Sequence, residues 1–146
     1  MKKVIILFAI LLLSFGCDNE VMDSWDYVIV NATGTVQVAE YDVSKSEWGE
    51  ALDGEAVEMA LIKAGGERIE DIGTTGGGAG HTTIHGSFSL YKEQPIDFKA
   101  KLVSNPMVIG SDQVTWEYVN KNRRPGGKNQ PDICYVDLYI SLKVPM

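Results

Sequence analysis

The chain has 146 residues, with 20 acidic and 13 basic side chains and a formal charge of −7. So acidic a chain lacks the basic footprint that a nucleic-acid partner demands, and it does not favour adhesion to anionic lipid by charge alone. The length suits one domain.

Residues 1–17 read MKKVIILFAILLLSFGC. Lys2 and Lys3 precede an unbroken apolar run from Val4 to Leu13, and Ser14-Phe15-Gly16-Cys17 closes it. This is the plan of a secretory signal: a charged start, a short apolar stretch and a small-residue cleavage site. The run falls short of the roughly 20 apolar residues that cross a bilayer. Gly16-Cys17 resembles the lipobox of bacterial lipoproteins, with Phe15 and Ser14 standing where that family usually has a small residue and a leucine. The resemblance implies a signal peptide over 1–16, lipid on Cys17 as the mature N-terminus, and a membrane-anchored place in the cell envelope. An ordinary signal peptide cut near Gly16 is the alternative. All 20 acidic residues lie beyond the signal, and losing Lys2 and Lys3 leaves 11 basic ones, so the mature charge is −9. With Cys17 lipidated, Cys134 has no intrachain disulfide partner.

Residues 17–24 are polar and acidic, the expected tether, and a single domain is expected over 25–146. Tyr27–Val30 is a short apolar run, and Thr35–Tyr41 resumes with Val36 and Val38 on one face. Asn31-Ala32-Thr33-Gly34 between them predicts either two strands or one strand bulged at Gly34. Asp42–Gly54 reads as a polar loop carrying Trp48. Glu55–Ala64 fits a helix through Val57, Ala60, Leu61 and Ala64, and a strand through Val57, Met59 and Leu61; Gly49 and Gly54 restrict a helix, and the strand is the expectation. Gly65-Gly66 turns into a strand at Arg68–Ile72. Gly73–Gly80 lacks the Gly-Lys-Ser/Thr ending of a phosphate loop and reads as a flexible loop or edge turn.

Thr82–Tyr91 places Ile84, Phe88 and Leu90 on one face. From Ile96 to Leu102 apolar residues alternate with Asp97, Lys99 and Lys101, as a half-buried strand requires. Val114–Val119 is expected as a strand and Asn120–Pro131 as a loop. In the last strand Cys134, Val136, Leu138, Ile140 and Leu142 face the core, opposite Tyr135, Asp137, Tyr139 and Lys143. Seven or eight short strands of this kind predict an all-β antiparallel sandwich. The block from Leu52 to Leu102, with Asp53-Gly54-Glu55-Ala56-Val57, Thr74-Thr75-Gly76 and Phe88-Ser89-Leu90, resembles transthyretin-like domains related to carboxypeptidase regulatory modules. That resemblance implies an Ig-like, prealbumin-like sandwich used as a structural or adhesive module without an active site.

Three clusters carry possible chemistry. His81 and His85 share a face of an extended strand at roughly 13 Å, too far for one zinc; only a looped conformation would make them ligands. Lys121, Arg123, Arg124 and Lys128 crowd one loop and could meet lipid phosphate, an anionic glycan or an acidic partner. Trp116, Tyr118, Tyr135 and Tyr139 could form an aromatic face for sugar rings. No nucleophile–histidine spacing or hydrolase motif is present. A non-enzymatic structural or protein-interaction module is therefore expected, without cofactor or metal. The alternative is a glycan- or small-ligand-binding lipoprotein using Tyr135, Tyr139, Arg123 and Arg124.

Overall fold

The computed structural model describes residues 27–146. The signal, Cys17, the tether and the first two residues expected in the domain, Trp25 and Asp26, lie outside the described residues. Among the described residues the strands are β1 (Tyr27–Asp42), β2 (Glu47–Ala51), β3 (Ala56–Lys63), β4 (Arg68–Thr74), β5 (His81–Tyr91), β6 (Ile96–Leu102), β7 (Ile109–Val114) and β8 (Asp132–Pro145), with one helix, α1 (Trp116–Asn122), before β8.

They form two four-stranded sheets. In the second sheet β4, β3, β6 and β7 lie side by side, all antiparallel. The first sheet is organised around β1. One edge of β1 pairs antiparallel with β5 from Tyr27 to Gln37, and β2 takes over that edge from Ala39 to Asp42. Its other edge pairs with β8 in parallel from Val28 to Tyr41. The expected all-β sandwich is found, and its antiparallel pairing is corrected at one place: the first and last strands, β1 and β8, run the same way. Alternation reports which face a residue occupies, and it is silent on the direction of the neighbouring strand.

Periodicity of two builds the core. Val28, Val30, Ala32, Val36 and Val38 from β1 meet Ile84, Phe88 and Leu90 from β5 and Cys134, Val136, Leu138, Ile140 and Leu142 from β8. Val57, Met59, Leu61, Ile96, Phe98, Ala100, Leu102 and Val114 supply the opposite wall. The doubtful stretch Glu55–Ala64 is a strand, as expected, with Val57, Met59 and Leu61 buried.

β1 is one strand with no bulge at Gly34, since both its registers run unbroken through that residue. The glycine answers to packing instead: a β-carbon there would lie 2.6 Å from the Phe98 ring of the facing sheet. The irregularity falls later, between Ala39 and Tyr41, within the pairing of β1 with β2. β2 itself lies within the stretch expected as loop. The turn into it is set by Asp42, whose Oδ1 accepts from the Ser44 hydroxyl at 2.6 Å and from the Ser44 and Lys45 amides. Those bonds hold the Asp42 carboxyl below its usual pKa, with the Ser44 hydroxyl as the main cause.

The glycine-rich segment is a fastened arch between the two sheets. Thr75, buried, donates its hydroxyl to the Leu52 carbonyl at 2.6 Å and accepts from the Glu55 amide at 3.0 Å. Asp53 receives the Gly78 and Gly80 amides, each at 2.8 Å. Gly80 has φ +65°, a left-handed conformation that glycine adopts without a β-carbon penalty.

Val114–Val119 is the second correction: β7 ends at Val114, and α1 follows. Thr115 caps the helix, accepting from the Tyr118 amide at 3.4 Å, and the Asn122 side chain donates to the Tyr118 carbonyl at 2.8 Å. Val119 is fully buried and anchors the helix to the core, while Tyr118 is exposed.

Candidate functional site: the outer face of the β5–β1–β8 sheet

Because β1 is flanked on both sides, its outward side chains form the middle row of a three-strand platform. Register fixes the platform row by row. Ser87, Asn31 and Tyr135 stand abreast; next come His85, Thr33 and Asp137; then Thr83, Thr35 and Tyr139; then His81, Gln37 and Ser141.

Two cross-strand hydrogen bonds brace this face. The Thr33 hydroxyl and His85 Nδ1 are 3.1 Å apart, so the imidazole is held over β1, and Nε2 has no hydrogen-bond partner among the described residues. The Tyr139 hydroxyl and His81 Nε2 are 2.9 Å apart, with the two rings near perpendicular at 84°. That contact passes across β1 and makes a strap over Thr35 and Gln37. Asp112 accepts from the Tyr139 amide at 2.9 Å, which pins the outer edge of β8 at the same level.

Beside the strap lies an open trough of about 530 Å³, lined by Asn31, Thr33, His85, Ser87, Tyr135 and Asp137 with the backbone beneath them. His85 and Asp137 face each other across Thr33 at two strand spacings, or about 10 Å. Tyr135 is 69% exposed and stands as the wall at one end. Among the described residues no lysine or arginine lines the trough.

The residues expected to bind sort unevenly. Tyr135, Tyr139, His81 and His85 come together on this face. Trp116 and Tyr118 leave the aromatic set, because they sit on α1. Arg123 is committed elsewhere: its Nε donates to Asp132 at 2.7 Å and its Nη1 to Asn120 at 3.1 Å. Arg124 pairs through its backbone with Ile133, at the head of β8, and lies outside the trough lining. The basic loop thus flanks the platform without entering it. His81 and His85 lie on a regular strand with separate partners, and among the described residues no group of three or more His, Cys, Asp or Glu is placed to hold a metal ion. Asn31, Thr33, Ser87 and Asp137 are members that the sequence did not single out. Their signal was the alternation of Asn31, Thr33 and Thr35 with Val30, Ala32 and Val36.

No family model, curated protein or solved structure matches this chain.

A wider depression of about 790 Å³ lies on the outside of the other sheet. Four of its charges are paired, Lys101 with Glu58 at 3.0 Å and Arg68 with Glu70 at 2.5 Å, and Asp71 and Lys99 also line it. At the end of the sandwich remote from Tyr27, the Lys143 ammonium lies 4.4 Å from the Tyr41 ring centre and 5.4 Å from that of Trp48, so that aromatic pair already holds a cation. Cys134 is 1% exposed, and burial pushes its thiol pKa up against a smaller opposing pull from Arg124.

Proposed function

We propose that the chain is a membrane-anchored envelope lipoprotein whose Ig-like, transthyretin-like sandwich is a non-enzymatic interaction module, with the outer face of the β5–β1–β8 sheet as its recognition surface. The observation that carries this is the braced platform itself. Side chains from three strands are held in fixed order over an open trough, where a partner can land but a substrate would remain in water. Catalysis uses groups in a water-excluded setting with matched proton affinities. His85, Asp137 and Tyr135 stand open to solvent.

The lipobox-like ending at Gly16-Cys17 supports the anchor. Cys17 precedes Tyr27 by ten residues, a reach of at most about 36 Å. A domain on so short a leash works at the membrane surface, and the platform runs alongside β1 away from the tether.

Two measurements test the proposal. Metabolic labelling with a fatty-acid analogue is expected in the native chain and absent in Cys17→Ala; labelling that persists removes the anchor. A photo-crosslinking side chain at position 135 is expected to capture a partner in intact cells, and one at position 99, on the opposite sheet, is not. Equal capture at both positions, or none at 135, removes the recognition face.

A further inference from the structure

We infer that the trough takes one neutral sugar ring of a glycan, seated beside the Thr33-held His85 imidazole, against the Asp137 carboxylate and stacked on Tyr135. The inference rests on the outer face of the β5–β1–β8 sheet being the recognition surface, and it names what that surface recognises.

Elimination narrows the ligand class. An anionic ligand would meet Asp137 with no lysine or arginine among the described lining residues to offset the repulsion. A metal ion lacks a donor set among the described residues. An apolar peptide would bury a floor of hydroxyl and amide groups without partners, which costs free energy for each group left unpaired. A neutral ligand rich in hydroxyls satisfies that floor.

The groups present match such a ligand in number and kind. The Asp137 carboxylate can accept from two hydroxyls on neighbouring carbons, and bonds to a charged acceptor are the stronger sort. The Asn31 amide both donates and accepts, as do the Thr33 and Ser87 hydroxyls. His85 is already turned by its bond to Thr33, so Nε2 is the nitrogen left for a ligand hydroxyl. The Tyr135 ring offers an electron-rich face to the weakly positive C–H bonds of the sugar. The strands bearing His85 and Asp137 lie about 10 Å apart, and because the imidazole leans over β1 onto Thr33, the room for a ring is in the open trough beside it, toward Asp137 and Tyr135. The Thr33–His85 bond orients the imidazole before binding, and the Tyr139–His81 strap fixes the neighbouring rows.

The test uses the purified, detergent-solubilised protein on an immobilised panel of neutral hexose and N-acetylhexosamine oligosaccharides beside sialylated and sulfated ones. Retention on at least one neutral glycan is expected, with no gain from added sialic acid or sulfate. Asp137→Asn and Tyr135→Ala should each weaken it about ten-fold or more, the worth of one charged hydrogen bond or one stacked ring. Tyr118→Ala, exposed on α1, should leave it unchanged. Melting temperatures of the three variants are expected to match the parent, since all three positions are on the surface. Failure to retain any neutral glycan, preference for the anionic ones, or equal effects of all three variants overturns the inference. Capture of a protein from position 135 alongside that failure would leave the recognition face standing and reject only the sugar.

Discussion

Gly34 and Phe98 are one feature shared between two sheets. The missing side chain of Gly34 is the seat of the Phe98 ring, and Phe98 is completely buried on it. Phe98→Ala should cost about 3–5 kcal/mol by leaving a cavity, and Gly34→Ala about 1–3 kcal/mol by crowding the ring. Joined, the two changes should cost less than their sum, because the added methyl then enters the space the ring has left. Lys99→Ala, one residue on and facing solvent, should stay within about 0.5 kcal/mol. Chemical denaturation of the four variants measures all of this; strict additivity, or a Lys99 loss equal to that at Phe98, would contradict the packing. Cys134 gives a second test at this scale. Its core position raises the thiol pKa, so the unfolded chain releases that proton first. Stability should therefore fall as pH rises past the ordinary thiol value of about 8.5, and Cys134→Val should lose this part of the slope. The native thiol should also resist alkylation until the protein is denatured, and prompt labelling would place it at the surface.

Among the elements, β6 and β8 were legible from sequence because each alternates strictly between a buried and a wet face. β1 was harder. Asn31, Thr33 and Gly34 are turn residues by type, yet here two are the polar face of a strand and the third makes room for a ring. The platform was half legible for the same reason: its tyrosines and histidines stood out by chemistry, whereas Asn31, Thr33 and Ser87 acquire a role only through the registers of β5 and β8 on β1. Register across sixty or a hundred residues is set by tertiary packing, which local periodicity does not encode. The stretch Val114–Val119 failed differently. As a strand it would bury Val114, Trp116 and Tyr118 together; as a helix capped by Thr115 it buries Val119 and exposes Tyr118. Val119→Ala should accordingly cost about 2 kcal/mol, and Tyr118→Ala within about 0.5 kcal/mol. Thermal unfolding of the pair decides it, and a larger loss at Tyr118 would restore the strand.

At the scale of the whole molecule, charge and topology coincide. Tyr27, the end of β5 and the start of β8 share one end of the sandwich, and Arg124 bonds there beside Ile133, which pairs with Ile29 of β1. The basic loop therefore lies about 10 Å from β1, close to where the chain enters from Cys17. Residues 115–131 carry four basic side chains and one acidic; residues 39–56, at the opposite end, carry six acidic side chains and one basic. For a chain anchored through Cys17 as proposed, this polarity should turn the loop toward an anionic bilayer and the β1–β2 turn away, at about 1 kcal/mol per basic residue near the surface. Asp18, Glu20, Asp23 and Asp26 oppose the attraction, so the orientation should be sensitive to salt and weaken as the screening length drops below about 10 Å. In lipidated protein reconstituted into vesicles, a fluorophore on Gln130→Cys should be quenched by a lipid-borne quencher more than one on Val43→Cys. Cys134, being buried, leaves the introduced thiol as the reactive one. Arg124→Glu with Lys128→Glu should erase the difference at low salt. Equal quenching at 43 and 130 in the parent background, or a difference that survives the charge reversal, would show that the loop does not set how the domain stands on the membrane.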